Sequence, residues 1–222
     1  MLEYVIKAFV RFSMIAIVDY GAGNLQSVGK ALDYIGAKSQ ISSDGDFILA
    51  ADGVILPGVG SFEDAMNCMK RSGLVEPIRK AALCGKPFLG ICLGLQLLFE
   101  QSEESPNAVG LGILKGKIRK IPSNGLKVPH MGWNSLDIKK NEGIFKDIRQ
   151  GSYVYFVHSY YLEAENKSEV AAITHYGVDI DAAVSRGTLF GCQFHPEKSG
   201  DAGLAMLRNF AAICGEDCKN VR

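Results

Sequence analysis

Short β-branched runs alternate with helical patterns through the first hundred residues of this chain. Ile15-Ala-Ile-Val-Asp-Tyr20 ends in Gly21-Ala-Gly-Asn24, and apolar residues from Leu25 to Ile35 then recur at helical spacing before Gly36. Gly53-Val-Ile-Leu-Pro57 repeats the strand signal, and Ser61 with Asp64 resembles a capping signal for a helix through Met69. Leu74 to Leu83 is helical up to Gly85. Pro87-Phe-Leu-Gly-Ile-Cys92 then reads as a buried strand running directly into a helical stretch, Leu93 to Glu100. Strands that recur only after a helical segment pair in parallel, because the crossover helix returns the chain to the same end of the sheet.

The second half changes character. Ile113 to Ile121, Ser152 to Leu162, Val170 to His175, Ala182 to Ser185 and Thr188 to Phe194 are strand candidates joined by short turns, with a hairpin turn at Arg186-Gly187. Ala202 to Ile213 is an amphipathic helix. No repeat or low-complexity linker divides the chain, so the pattern predicts one α/β domain whose mainly parallel sheet carries a more antiparallel part inserted late. Residues 1–13 stand outside this scheme, since Met14 sits where the first strand begins; they read as an upstream extension that is not part of the fold, which would span 14–222.

Charge and cysteine usage narrow the functional classes. Lys and Arg number 24 and Asp and Glu number 24, so there is none of the positive excess by which a protein neutralises phosphates, and nucleic acid is not expected as a partner. The 6 cysteines form no CxxC pair and have no histidine at zinc-finger offset, which indicates neither a metal site nor a disulfide framework. No apolar stretch reaches the ~18 residues needed to cross a bilayer, and Tyr4 to Val10 lacks the basic leader and cleavage site of a signal peptide. The expectation is a cytoplasmic protein without membrane contact.

Three segments carry chemistry. Gly90-Ile-Cys92-Leu-Gly94 lies between an apolar strand and an apolar helix, the setting in which a sharp turn lifts a nucleophile to the sheet edge while small neighbours let the backbone come close. Free N–H groups of the following helix favour the thiolate there, the attacking species. A lone GxCxG is more often packing, since cysteine is commonly buried. What changes the balance is Phe194-His195-Pro-Glu197 at the end of another strand: Pro196 holds the segment extended, so that His195 and Glu197 project to one side as i and i+2. Imidazole can then act as base toward Cys92 while the carboxylate orients it. Pro57-Gly-Val-Gly60 follows a strand and can turn N–H groups toward an oxyanion, joined by the N–H of Leu93, although PGxG alone is simply a loop.

The remaining signals are weaker. His158 and His175 lie on strand patterns and read as satisfied structural histidines, whereas His130 in Pro129-His-Met-Gly-Trp-Asn134 sits with an aromatic and an amide on what reads as a loop, where partners are often met. Lys115, Lys117, Arg119 and Lys120 read as a solvated strand face. Gly21-Ala-Gly-Asn24 lacks the third glycine of a dinucleotide fingerprint and the Lys-Ser/Thr pair of a P-loop, which argues against NAD and ATP; no cofactor is expected.

Taken together, the cysteine elbow, the HPE segment and the glycine loop resemble the triad class of glutamine amidotransferases. A fuller set narrows this: Leu56-Pro-Gly-Val-Gly-Ser-Phe62, Gly90 to Gln96, His130-Met-Gly-Trp-Asn134, Phe156-Val-His-Ser-Tyr160 and Gln193 to Ser199 are similar to the glutaminase-subunit family of imidazole glycerol phosphate synthase over nearly all of residues 14–213. The resemblance implies a three-layer fold and a Cys92–His195–Glu197 triad that hydrolyses L-glutamine through a γ-glutamyl thioester. It implies that Gly58 and Gln96 help bind glutamine, that Ser159 and Tyr160 contact its amino-acid end through the backbone, and that Val59, Gly60 and Leu93 form an oxyanion hole, with Val59 and Gly60 switching when the partner binds its own substrate. Asn24, His130, Trp133 and Lys198 would face that partner, a (βα)8-barrel cyclase subunit that takes up the ammonia. Such a barrel needs about 250 residues, which this chain cannot also hold, so it must be a separate subunit.

The chain departs from the family at residues 1–13 and at Gly191-Cys192 beside Gln193, where Cys192 reads as a buried small hydrophobe. A glutaminase serving another synthase, a noncatalytic module of the same superfamily and a thiol esterase or amidase are the competing readings. HMGWN and FVHSY argue against the first, and His195 with Glu197 against the second; substrate alone would discriminate the third.

Overall fold

A computed structural model describes residues 13–123 and 125–215; the extension over 1–12 and Cys218 lie outside the described residues. Strand β1 (Ile15–Val18), helix α1 (Leu25–Tyr34), β2 (Ser39–Ser42), α2 (Gly45–Ala50), β3 (Gly53–Gly58), α3 (Phe62–Arg71), α4 (Val75–Leu83), β4 (Phe88–Cys92) and α5 (Leu93–Gln96) make up the alternating half. The other half contains β5 (Gln101–Ser102), β6 (Gly116–Lys120), β7 (His130–Ser135), β8 (Asp137–Ile138), β9 (Tyr153–His158), β10 (Tyr160–Ala164), β11 (Val170–His175), β12 (Asp179–Arg186), β13 (Leu189–Cys192) and α6 (Gly200–Ile213).

The central sheet has 8 strands in the order β2-β1-β3-β4-β13-β12-β11-β8, parallel from β2 through β13 and antiparallel beyond it. Its inner strands are buried on both faces, and the period of two sorts their side chains. Ile15 and Ile17 of β1 enter one core with Val28 and Leu32 of α1 and Phe210 of α6, whereas Ala16 and Val18 enter a second core with Ile48 of α2, Met66 of α3 and Ile78 of α4. Helices therefore cover both faces, as the expected three-layer α/β architecture requires. Each fully buried Ile, Leu or Phe contributes about 1.5–3 kcal/mol by leaving water.

Local signals decide most boundaries. The Ser61 hydroxyl accepts from the Asp64 N–H at 3.3 Å and caps α3, and Asp44 does the same for α2, a helix the periodicity does not reveal. The hairpin turn forms one residue later than expected, at Gly187-Thr188 between the paired Arg186 and Leu189, with Gly187 at φ 61°.

Three expectations need correction. The helix after Cys92 stops at Gln96 instead of reaching Glu100, because the carbonyls of Leu97 and Leu98 are taken by the N–H groups of Leu111, Ile113 and Leu114. The same bonds keep Ile113 and Leu114 out of β6. Ser152 to Leu162 is two strands: β9 pairs with β7 and β10 with β6, so the chain changes sheets at Ser159. And His130 to Ser135 is a strand, not a loop, paired antiparallel with β9.

Candidate active site

The carboxyl ends of β3, β4 and β13 lie side by side, the edge of a parallel sheet at which ligands bind. Cys92 ends β4 at φ 55° and ψ −111°, a conformation outside the ordinary L-residue wells. The glycines around it make this turn possible. A Cβ on Gly94 would stand 1.8 Å from the Leu56 carbonyl oxygen, and one on Gly90 would stand 2.7 Å from the Gly94 oxygen, so strand and helix approach at a distance only glycine permits. Gly58 is opposite Cys92 in the β3–β4 register and is equally tight, its missing Cβ lying 2.8 Å from the Gly94 nitrogen.

The turn opens on a cleft of about 400 Å³ lined by Cys92, Leu93, Gln96, Val59, Gly60, Ser159, Tyr160, His158 and His195, with Glu104 at one side. The cysteine, both loop residues of the glycine segment and the backbone corner after β9 therefore share one cavity, as the resemblance implies. Gly58 lies beneath it, buried. Val59 and Gly60 are exposed at its mouth, Gly60 with φ 93°.

His195 reaches the cleft by a route the sequence pattern does not show. It follows β13 by three residues in extended conformation, and Pro196 then starts a single 3-10 turn, Pro196–Lys198. Glu197 is thus not two places along a strand. Proline is well suited to the first position of a helical turn, where its missing N–H is not needed, and the turn folds Glu197 back on its neighbour. Glu197 Oε1 accepts from His195 Nδ1 at 2.8 Å, with both side chains almost wholly buried. Ser199 pins the turn to β9: its hydroxyl donates to the His195 carbonyl at 2.6 Å and accepts from the Tyr155 N–H at 3.0 Å, while His195 N–H donates to the Tyr155 carbonyl at 2.9 Å.

With Nδ1 committed to Glu197, His195 Nε2 has no hydrogen-bond partner among the described residues, and Cys92 is its neighbour across the cleft. Burial works against an imidazolium here, but the charge of the neighbouring Cys92 and the hydrogen-bonded Glu197 carboxylate outweigh it, and lift His195 to about 9. Such an arrangement can deprotonate a thiol, hold the resulting cation and return the proton to a leaving group.

Two residues to which the sequence reading gives no role belong to the site. Gln193 is fully buried; its Nε2 donates to Cys92 Sγ at 3.7 Å and its Oε1 accepts from Gln96 Nε2 at 2.9 Å. A glutamine within the apolar run Leu189 to Phe194 is the signal that could have found it, since a buried amide needs partners. Glu104 accepts from the Phe62 N–H at 2.8 Å and places a carboxylate on the cleft wall; nothing in its local pattern marks it.

The residues expected to face a partner divide. Trp133 is 55% exposed and Met131 62%, both on the outer face of the β7–β9 ribbon with Tyr153, and Lys198 is exposed close by on the turn that follows His195. Asn24 is half-buried at the start of α1, and its side chain makes no capping bond. His130, by contrast, is only 3% exposed and is enclosed between the rings of Phe156 and Tyr176. Alternation along β7 sends Met131 and Trp133 outward and therefore His130 inward. His158 is buried and satisfied, as its strand position implies; His175 pairs with Asp179 in solvent. Arg119 pairs with Glu103 and Glu163 on an exposed face. Cys192 is fully buried, and burial raises its thiol pKa well above the ordinary value. No helix of the described residues is long and apolar enough to cross a membrane.

Comparison with known proteins places this geometry. The profile of glutamine amidotransferase class-I matches residues 16–214. The imidazole glycerol phosphate synthase subunit HisH of Caldanaerobacter subterraneus is 51% identical over 200 residues, covering 90% of this chain and 98% of that protein. The protein of the same name from Methanosarcina acetivorans is 50% identical over 202 residues, with 90% and 98% covered. Among solved structures, a glutamine amidotransferase superposes with a TM-score of 0.72 at 18% identity, over 90% of this chain and 98% of that one. PurLQS from Thermotoga maritima superposes at 0.69 and 22% identity over the same shares, a likeness of fold.

Proposed function

The chain belongs to the class-I glutamine amidotransferase family, among relatives named imidazole glycerol phosphate synthase subunit HisH, and from that premise we propose that it is the glutaminase subunit of such a synthase. It hydrolyses L-glutamine to glutamate and ammonia and hands the ammonia to a separate cyclase subunit, which makes imidazole glycerol phosphate and aminoimidazole carboxamide ribotide in histidine biosynthesis. The observation that carries the reading is the strained Cys92 facing the same cleft as His195, whose far nitrogen is held by Glu197.

The steps follow from the geometry. His195 Nε2 takes the thiol proton, and Cys92 Sγ attacks the carboxamide carbon of glutamine. Negative charge gathers on its oxygen, where the N–H of Leu93 and those of Val59 or Gly60 receive it. Collapse of the intermediate breaks the C–N bond; His195 gives its proton to the nitrogen, which leaves as ammonia. A water then gives a proton to His195 and attacks the γ-glutamyl thioester, releasing glutamate and restoring the thiol. Throughout, Glu197 steadies the imidazolium, as the third member of such triads does. Gly58 lets β3 lie close beneath the substrate, Gln96 and the Ser159–Tyr160 backbone hold its amino-acid end, and the Glu104 carboxylate suits its ammonium. Asn24, Trp133 and Lys198 meet the cyclase, and the pair works in the cytoplasm on substrates that are both water-soluble.

Glutamate release from glutamine by the purified chain, alone and then with a cyclase subunit and its nucleotide substrate, tests this. Low activity alone and a large rise with the cyclase are expected. Strong activity indifferent to the cyclase, or none in either case, would overturn the assignment.

A further inference from the structure

From the cleft wall inward, the side chains of Gln96, His158, His130 and Asn134 are linked by hydrogen bonds, the first two through the Tyr160 carbonyl. Asn134 Nδ2 donates to the His175 carbonyl at 2.9 Å and lies 3.4 Å from His130 Nε2, while Asn134 Oδ1 accepts from the Ser135 N–H, which sets the orientation of the amide. His130 Nδ1 is 3.0 Å from His158 Nε2. His158 Nδ1 is 2.8 Å from the Tyr160 carbonyl, which also accepts from Gln96 Nε2 at 3.0 Å.

The proton positions follow from the acceptors. A carbonyl cannot donate, so His158 Nδ1 carries hydrogen and, in a neutral ring, its Nε2 must accept. His130 Nδ1 is then the donor and its Nε2 accepts from Asn134. Both rings are therefore neutral Nδ1–H tautomers, and burial favours this by lowering His130 to about 4 and His158 to about 3. Stacking of His130 on Phe156 and Tyr176, with centroids 4.8 and 4.0 Å away, fixes its ring plane.

We propose that His130 and His158 are positioning residues that hold the Ser159–Tyr160 corner and Gln96 in the geometry that receives the amino-acid end of glutamine. The chain changes sheets at this corner: backbone pairing holds it from the β6 side, where the Ser159 carbonyl accepts from the Ile121 N–H at 2.9 Å and Tyr160 pairs with Lys120, and the two imidazoles tie it to the β7–β9 ribbon on the other side. The inference rests on the glutaminase reading above. Because the corner is remote from the reacting carboxamide, losing the constraint weakens ground state and transition state alike and is read in KM more than in kcat.

The test is steady-state glutamine hydrolysis by the full chain with its cyclase, together with nitrogen-15 spectra of the imidazoles. His158→Leu is expected to raise KM about tenfold, the loss of one buried hydrogen bond, with kcat changed less than about threefold. In His158→Asn the side-chain N–H₂ takes the place of Nδ1 and should bring KM back to within about threefold of the wild type. His130→Phe keeps the stacking but removes the donor, and should raise KM by an intermediate factor. Both histidines should give Nδ1–H spectra. A folded His158→Leu protein with unchanged KM, one impaired only in kcat, or Nε2–H tautomers would each overturn the proposal. An inactive wild type would instead remove the glutaminase reading, and the tautomers would still decide whether the relay exists.

Discussion

Cys92 is held in its strained turn by neighbours that leave no other path, with Gly90 and Gly94 in contact across the elbow. A residue in such a conformation costs on the order of 1–3 kcal/mol, which glycine would not incur. Cys92→Ala and Cys92→Gly should both lose glutaminase activity by at least about a thousandfold, since the nucleophile itself is gone. Thermal melts should nevertheless rank the glycine variant as more stable than alanine by about 1 kcal/mol, a separation of chemistry from strain within one position. His195 gives a second prediction, on pH. Its folded value of about 9 lies above the ordinary 6.5, so the stability gained by protonation is complete below pH 6.5 and is lost as pH rises through 9. Glu197→Gln removes one of the two partners that lift it, and melting temperatures followed from pH 6 to 10 should show the decline moved to lower pH. At this scale the motif residues were legible because each has a chemistry that few side chains share. Gln193 and Glu104 were not, since amides and carboxylates occur everywhere and only a three-dimensional neighbour gives them a role.

Among the elements, the β4 to α5 junction is the most demanding. Gly94 packs against the backbone of Leu56, and a carbonyl oxygen cannot move aside as a side chain can. Gly94→Ala should therefore destabilise the fold by about 3 kcal/mol or more, beyond the usual cost of overpacking, and fall to low soluble yield or a sharply lowered melting temperature. The longer helices and the parallel strands β1, β3, β4 and β13 were readable from periodicity, since burial writes itself into apolar spacing, whereas the half-exposed β2 and the short α2 were not. The β7–β9 ribbon was not. Its residues alternate imidazole, thioether, glycine, indole and amide, and only the pairing with Tyr153–His158 explains why His130 turns inward while Trp133 turns out. The short α5 and the 3-10 turn at Pro196 have the same lesson: hydrogen bonds from distant loops and a proline at the first position of a turn set their length.

Across the whole molecule, the open end of the sheet carries the cleft with Val59 exposed at its mouth, and the outer face of the β7–β9 ribbon exposes Met131, Trp133 and Tyr153. Trp133→Ala should weaken association with the cyclase about tenfold or more, measured by calorimetry, with the melting temperature of the isolated chain little changed, as for an exposed aromatic anchor. A chain begun at Met14 should fold and hydrolyse glutamine with its cyclase as the full chain does; failure of either would place residues 1–13 within the working protein. The alternation of strand and helix in the first half, the parallel class of the sheet and the motifs that carry Cys92 and His195 were legible in the linear sequence, because strand and helix periods and reactive side chains are local properties. The meeting of β3, β4 and β13 at one edge, the inward turn of His130 and the recruitment of Gln193 depend on which strands become neighbours. That is settled by burying both faces of one sheet at once, a condition on the entire chain that no local window contains.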